Sequence, residues 1–307
     1  MLTRYDAAVV GGGSAGLSAA LLLARARRRT LVLDDGRPRN AAAPRMHGFI
    51  TRDGTPPLEL LAMARAELED YECADLVQAH VEEAEGEEHG FALRTTAGET
   101  YHAERILLAT GVYDALPAIE GLGDAWGRSA FVCPYCDGWE VRDKRLAVIG
   151  GGEKAVALAQ EVYQWSRDLI VCTQAQDDFP PESRRWIAAS GVQLKTARAV
   201  RLHVRCGQAE ALQFADGTRE RCDGVFLQAP LRTRQPLVEM LGCRLGDEGR
   251  IVVDERGRTS VRGVYAAGDA VTAVHQVSLA VASGVCAAMA LNEDLVKEHV
   301  RRLLDAR

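Results

Sequence analysis

Two cysteines separated by two residues lie near the middle of the 307-residue chain, in the segment VCPYCDGWE at residues 132–140. Cys133 and Cys136 have the spacing of a redox-active dithiol, of half a zinc site, or of two small side chains that only pack. A structural zinc site usually takes four ligands, and no second C-x-x-C pair is present in the sequence. Pro134 and Tyr135 favour a constrained turn over a helix interior. The segment therefore predicts a redox pair in which one thiolate attacks a disulfide.

Two further segments share one order of features: an apolar strand, a glycine cluster and an alanine-rich helix. The first is YDAAVVGGGSAGLSAALLLARA at residues 5–26, and the second is RLAVIGGGEKAVALAQEVY at residues 145–163. Each is typical of the opening of a βαβ unit that binds a dinucleotide. The sequence therefore predicts an α/β fold with two Rossmann-like dinucleotide-binding domains.

The first glycine cluster has the G-x-G-x-x-G spacing. Gly11 permits a tight turn, Gly13 lets a pyrophosphate approach the backbone, and Gly16 lets the helix pack closely on the strand. Asp34 follows at the end of the next apolar run, where an acidic side chain holds a ribose hydroxyl. The candidate cofactor-binding residues of this unit are Gly11, Gly13, Ser14, Ala15, Gly16 and Asp34.

Turn-rich segments at residues 109–122 and 228–236 indicate two crossings between domains. They predict that the second domain, residues 115–230, is inserted into a first domain made of residues 1–114 and 231–307. Within these domains we expect a long loop at 36–57, a helix at 58–71, strands at 91–94, 106–109 and 168–173, and a final helix from about Val277.

The composition indicates an ordinary globular protein, with 47% hydrophobic and 26% charged residues. A formal charge of −6 gives no general attraction to nucleic acid or to an anionic membrane. We expect no membrane span, because we identify no apolar stretch that approaches the roughly 20 residues required, and no signal peptide, because glycines interrupt the apolar N-terminus. Eight thinly spread cysteines favour a reducing, cytoplasmic location in which any disulfide is catalytic.

Several motifs together resemble the FAD-dependent pyridine nucleotide-disulfide oxidoreductases. They are LLATG at residues 107–111, GVYAAGDA at 263–270, HQVSLA at 275–280, and CPYCDG followed closely by LAVIGGG. The cysteine pair lies within the inserted domain and shortly before its glycine cluster, which is similar to the low-molecular-weight thioredoxin reductases. The resemblance covers nearly the whole chain and implies a homodimer that binds FAD.

The resemblance also implies roles for individual residues. Cys136 would face the flavin, Cys133 would exchange with the substrate, and Asp137 would be the acid/base beside the pair. Gly268 and Asp269 would lie beside the ribityl chain and phosphate of FAD. The remaining residues expected at FAD are Asn40, His47, Ala109, Thr110, Gly111, His275, Gln276 and Val277.

The second glycine cluster departs from the reductase pattern. The G-x-G-x-x-A form is present, but the arginines that bind the 2′-phosphate of NADPH are absent after the next strand. Gln174 and Ala175 stand there instead, and Asp177 and Asp178 would repel a phosphate. Only the later pair Arg184 and Arg185 could reach back. A role for NAD(P)H is therefore doubtful.

Relatives without these arginines include dithiol oxidases of the gliotoxin and holomycin type, and the loop RPRNAAAPRMHGF at residues 37–49 resembles that subgroup. We expect an FAD-dependent thiol–disulfide oxidoreductase that oxidises a small dithiol and passes electrons to FAD and then to oxygen. The alternatives are an NAD(P)H-dependent thioredoxin reductase, a similar protein with another electron donor, and a redox-sensing module that no longer turns over.

Overall fold

The computed structural model describes residues 4–233, 236–246 and 249–306, which form two compact units. The first unit is built from the described residues of 1–41, 57–113 and 231–307, and the second from residues 42–56 and 114–230. The elements up to the first crossing are β1 Arg4–Val10, α1 Ser14–Arg25, β2 Thr30–Asp34, α2 Pro57–Glu69, β3 Ala74–Gln78, β4 Val81–Glu87, β5 Gly90–Thr95, β6 Thr100–Leu108 and β7 Val112–Asp114.

Beyond that crossing the chain alternates short helices and strands. The elements of the second unit are α3 Leu122–Ala125, β8 Ala130–Phe131, α4 Pro134–Asp137, β9 Leu146–Ile149, α5 Glu153–Val162, β10 Leu169–Cys172, α6 Pro181–Ser190, β11 Gln193–Lys195, β12 Ala199–Arg205, β13 Gln208–Phe214, β14 Arg219–Arg221 and β15 Gly224–Leu227. The chain then returns to the first unit with β16 Leu231–Thr233, α7 Pro236–Met240, β17 Val264–Ala266 and α8 Val277–Asp305.

The first unit contains a seven-stranded sheet in the order β3-β2-β1-β6-β5-β4, with β17 also paired to β6. Strands β1, β2, β3, β6 and β17 pair in parallel, whereas β4 and β5 form an antiparallel extension. Strand β1 ends in a continuous, buried apolar run, AAVV, which is expected of a parallel strand covered on both faces. The predicted strand–glycine–helix unit is confirmed by β1 and α1.

The second unit contains a five-stranded parallel sheet in the order β11-β10-β9-β15-β8. All four residues of β9 are buried, and α5 follows it after the glycine cluster, so the second predicted strand–glycine–helix unit is also confirmed. A separate three-stranded antiparallel sheet, β12-β13-β14, joins β11 to β15 along the chain. The α/β fold class is therefore confirmed.

Residues 42–56 belong to the second unit, whereas the sequence had left them in the first domain. One physical reason is a close approach between the loop and Gly127, which has a φ of +71°. A Cβ atom on Gly127 would lie 2.7 Å from the carbonyl carbon of Ala42. Only glycine permits both this backbone conformation and this contact.

The prediction that no apolar segment is long enough to cross a membrane was wrong for the last helix, α8. Among the described residues, α8 is long and apolar enough by length and composition, with a mean hydropathy of 1.4 over its best window. One face of α8 is nevertheless buried and packs closely on α1. A Cβ atom on Gly284 would lie 2.1 Å from the carbonyl oxygen of Ala15. This packing is that of a core helix, and the prediction failed because the first half of α8 carries no charged residue.

Candidate active site

Cys133 and Cys136 form a disulfide at the start of α4, and both residues are partly exposed. Cys133 precedes the first helical residue and Pro134 occupies the first helical position, where a missing N–H group costs nothing. The main-chain N–H of Cys136 donates to Cys133 Sγ at 3.2 Å. The other six cysteines are free, so the predicted pair is the bonded one.

Gly138 and Trp165 pack against the turn that carries the disulfide. The N–H of Gly138 donates to the carbonyl of Pro134 at 2.8 Å. A Cβ atom on Gly138 would lie 2.5 Å from that carbonyl oxygen and 2.8 Å from the Trp165 ring. Trp165 also meets Tyr135 edge to face, with ring centroids 5.4 Å apart. The roles of Gly138 and Trp165 are not predictable from the sequence, because they depend on a contact between residues distant in sequence.

Two aromatic side chains beside the disulfide remain in solvent. Tyr135 is 75% exposed and Trp139 is 65% exposed. The guanidinium of Arg142 lies 4.0 Å from the centroid of the Trp139 ring, which fixes that ring at the surface. The face around the redox pair is therefore able to contact an apolar or aromatic part of a substrate.

Asp137 immediately follows the disulfide and is partly buried. Burial is the largest cause of the displacement of its pKa, which rises to about 7, and the charge of Glu140 raises it further. The charge of His47 acts in the opposite direction. A carboxyl group with this pKa is able to hold or accept a proton near neutral pH, as an acid/base beside a thiol must.

The raised pKa of Asp137 predicts a pH-dependent loss of stability. The folded protein keeps this proton up to about pH 7, whereas the unfolded chain releases it around pH 3.8, so stability falls as the pH rises through this window. At about 1.4 kcal/mol per pH unit, the cost at pH 8 reaches roughly 4 kcal/mol as an upper value. We expect Asp137→Asn to be more stable than the wild type at pH 8 and of equal stability at pH 4.

Denaturant unfolding of both proteins, each saturated with FAD, at pH 4, 6 and 8 measures this difference. A difference that does not grow with pH would contradict the environment described for Asp137.

The first glycine cluster lies in the first unit, and its glycines differ in the space that surrounds each of them. A Cβ atom on Gly11 would lie 2.3 Å from the carbonyl oxygen of Ala109, and one on Gly16 would lie 1.9 Å from that of Gly11. By contrast, a Cβ atom on Gly13 would meet nothing within 4 Å. Gly13 also caps α1 without a side-chain hydrogen bond. The space over Gly13 and the first turn of α1 fits a dinucleotide pyrophosphate.

The late glycine turn lies against the same helix. Gly268 has a φ of +75°, and its Cβ atom would lie 2.9 Å from the Cβ of Ala15. Asp269 forms an ion pair with Arg39 at 3.2 Å. The structure thus brings together the beginning of α1 and the Gly268–Asp269 turn, as the resemblance implied for FAD, and these residues fit that cofactor.

The other predicted FAD residues are placed as follows. Asp34 ends β2 and accepts a hydrogen bond from Arg65 at 2.7 Å, a partner that the sequence did not reveal. His275 contacts the carbonyl of Thr272 at 2.9 Å and Gln276 caps α8. Their roles at FAD stay predictions, as do those of Ser14, Asn40, Ala109, Thr110, Gly111 and Val277. His47 lies in the second unit, together with the redox segment.

The second glycine cluster opens onto a cleft of about 710 Å³ in the second unit, lined by Gly151, Gly152, Glu153, Lys154, Gln176, Asp177 and Asp178. The lining carries three carboxylates and one ammonium group. The side chain of Gln176 lies over the glycines, since a Cβ atom on Gly151 would be 2.7 Å from its Oε1. This arrangement does not fit the dianionic 2′-phosphate of NADPH.

The side chains of Gln174 and Arg184, which lie near this cluster in sequence, are engaged elsewhere. Gln174 Oε1 accepts from the N–H of Ala199 at 3.0 Å. Arg184 donates to the carbonyls of Asp177 and Phe179, at 3.1 and 3.2 Å. The idea that Arg184 reaches back toward a phosphate is therefore not supported by its contacts, because its guanidinium holds the 177–179 segment instead.

Two features define an FAD-dependent disulfide oxidoreductase. One is the disulfide turn, followed by the Asp137 carboxyl group, whose pKa is raised. The other is the first glycine cluster together with the late Gly268–Asp269 turn. The sequence matches the family described as pyridine nucleotide-disulphide oxidoreductase over residues 5–284. The chain belongs to that family.

Individual relatives agree with this assignment. The chain is 32% identical to thioredoxin reductase tcpT of Claviceps purpurea, over 95% of each protein. The crystal structure of HlmI superposes with a TM-score of 0.93 at 36% identity and covers 100% of this chain and 98% of that one. The putative thioredoxin reductase TrxB of Bacillus anthracis gives a TM-score of 0.92 at 33% identity, over 96% and 99%. The thioredoxin reductase-like fold is thus confirmed.

Proposed function

We propose that this protein oxidises a small dithiol to a disulfide, with electrons passing through the Cys133–Cys136 pair to FAD and then to oxygen. One observation carries the proposal. The cleft at the second glycine cluster is lined by Glu153, Asp177 and Asp178, is covered in part by Gln176, and has Lys154 as the one cationic lining residue among those that the structure describes. A nicotinamide cofactor with a 2′-phosphate is disfavoured there, so the electrons are expected to enter from the dithiol.

The chemistry balances for a dithiol and oxygen. A substrate thiolate attacks the Cys133–Cys136 bond and forms a mixed disulfide, which the second substrate thiol resolves. The substrate gains one S–S bond and the protein loses one, so two electrons and two protons have left the substrate. FAD, when bound, would accept the electron pair of the reduced cysteines and supply the step to oxygen. One dithiol and one O₂ give one disulfide and one hydrogen peroxide.

Three residues of the redox segment have separate roles in this reaction. Cys133 exchanges with the substrate, Cys136 is the thiol directed to the flavin, and Asp137 takes the proton that a thiol loses before it attacks. Tyr135 and Trp139 offer an exposed aromatic face to the body of the substrate. A thioredoxin-like protein as substrate, with NAD(P)H as donor, is the second candidate, and it is favoured by the relatives that are named thioredoxin reductases.

Oxygen consumption and hydrogen peroxide formation with dithiothreitol test the proposal. We expect one peroxide per dithiol oxidised and no requirement for NADPH. Cys206→Ser is the matched control, because Cys206 is an exposed free cysteine outside the redox segment. Turnover that depends on NADPH and reduces a disulfide would favour the second candidate.

We also propose a homodimer through an apolar stripe on α8. Met289, Val296, Val300 and Leu303 recur at helical spacing and are each 46% to 55% exposed. Such a stripe is typical of a helix that packs against a partner. Met289→Glu is expected to convert the dimer to a monomer in light scattering, whereas Arg301→Glu, on another face, leaves it intact. A wild-type monomer would contradict this assignment.

A further inference from the structure

His47 lies between two carboxylates in the second unit. Its Nδ1 is 3.3 Å from Asp53 Oδ2, and its Nε2 is 3.4 Å from Glu140 Oε1. Asp53 is on the same loop, and its other oxygen accepts from the N–H of Gly48 at 2.8 Å. Glu140 instead follows Asp137 by three residues. One imidazole therefore ties the 42–56 loop to the segment that carries the redox pair.

These groups lead from the partly buried Asp137 to solvent. The exposed fraction of the side chain rises from 22% at His47 to 42% at Glu140 and 66% at Asp53. The charged groups that act on Asp137 are Glu140 and His47. Lys144 is directed to the main-chain carbonyl of Glu140, at 3.2 Å, so it does not replace the imidazole as partner of that carboxylate.

We propose that His47 is a positioning residue that holds Glu140 beside Asp137 and gives the proton taken up by Asp137 a route to solvent. The inference rests on the proposed function, in which Asp137 accepts a proton from a reacting thiol. No electrons move in this step. The thiol loses H⁺ and becomes the attacking thiolate, Asp137 becomes neutral, and the proton then leaves through the Glu140 carboxylate to water, which restores the carboxylate of Asp137.

The geometry requires both contacts of the imidazole. Both nitrogens of the His47 ring face carboxylate oxygens, at 3.3 and 3.4 Å. Loss of the imidazole leaves Glu140 beside Asp137 without its opposite charge, so Asp137 keeps its proton to higher pH. Loss of the Glu140 charge acts in the opposite direction. The two substitutions therefore have opposite expected signs, which a purely structural role does not predict.

The test uses the FAD-loaded protein and dithiothreitol without oxygen, and follows the rate of flavin reduction from pH 5 to pH 9. We expect the midpoint of the profile to move to higher pH in His47→Gln and to lower pH in Glu140→Gln. At pH 7 the His47→Gln rate should fall roughly tenfold, which is less than the ~10²–10⁴-fold that acid–base catalysis supplies in full. The concentration of dithiothreitol giving half-maximal rate should change little.

His80→Gln is the matched control, because His80 Nδ1 also lies 3.3 Å from a carboxylate, that of Asp35, in the first unit. Its profile should match that of the wild type. If His47→Gln does not fold, Glu140→Gln carries the test alone, since it removes the charge of one carboxylate beside the imidazole while an amide oxygen can still accept from the ring.

The outcomes separate the inference from the proposed function. If Asp137→Asn slows flavin reduction but His47→Gln and Glu140→Gln keep the wild-type profile, the inference is overturned and the function stands. An equal loss at every pH in His47→Gln also overturns it, because that result indicates only a structural contact. If Asp137→Asn itself has no effect, the acid/base part of the proposed function fails.

Discussion

Replacement of either cysteine of the pair by serine is expected to abolish dithiol oxidation while FAD remains bound. The expected loss is about three orders of magnitude or more, because removal of a covalent nucleophile has effects on this scale or larger. In Cys133→Ser, the remaining Cys136 thiolate should give a long-wavelength charge-transfer absorbance with oxidised flavin. In Cys136→Ser that absorbance should be absent, and Cys133 should be trapped as a mixed disulfide with substrate.

Absorbance spectra over pH 6–9 and mass spectrometry of the trapped species measure this asymmetry. Cys206→Ser, which removes an exposed free thiol, should retain wild-type turnover and spectrum. The opposite pattern, with the absorbance in Cys136→Ser, would exchange the roles of the two thiols.

Gly13→Glu is expected to yield a folded protein that has lost its flavin. The protein itself leaves room for the new side chain, because a Cβ atom at Gly13 meets nothing within 4 Å. A bound pyrophosphate would not, and two like charges about 4 Å apart repel by ~4 kcal/mol near a protein surface. That free energy corresponds to about a thousandfold weaker binding of FAD.

Flavin content after purification measures the loss of FAD, and circular dichroism measures whether the variant is folded. Gly86→Glu is the matched control, since a Cβ atom on Gly86 in the first unit also meets nothing within 4 Å. It should keep both its fold and its flavin. A Gly13→Glu protein with full flavin content would show that the first glycine cluster does not hold the pyrophosphate.

Much of the fold was predictable from the sequence because local patterns specify it. The apolar runs of β1 and β9, each followed by glycines and a helix, predict parallel strands in dinucleotide-type units. The strand expected at residues 91–94 lies within β5, but β4 and the antiparallel β12–β14 segments were not predicted. Strand β4, VEEAEGE, carries four glutamates and little apolar alternation, so its pairing depends on its neighbours and not on its own pattern.

The candidate site was predictable where motifs are contiguous in sequence, as in CPYCDG. Contacts between distant segments were not predictable. The packing of Trp165 on Gly138, the side chain of Gln176 over Gly151, and the Arg65 partner of Asp34 each join residues 25 or more positions apart. His47 was expected beside the flavin because of its loop, and its two carboxylate neighbours became visible only in the fold.

The central claim is that a dithiol, and not NADPH, supplies the electrons. The relevant feature of the structure is the cleft at the second glycine cluster. Loss of two charge-assisted arginine contacts, each worth ~1.5–3 kcal/mol, corresponds to roughly two to four decades in affinity for a 2′-phosphate. The carboxylates of Asp177 and Asp178 add repulsion in the same cleft.

Stopped-flow absorbance of the flavin without oxygen, against dithiothreitol, NADPH and NADH in turn, tests this claim most directly. We expect dithiothreitol to reduce the flavin in the wild type and not in Cys133→Ser, air to reoxidise it, and NADPH to reduce it slowly or not at all. Rapid, saturable reduction by micromolar NADPH would contradict a dithiol as the source of electrons.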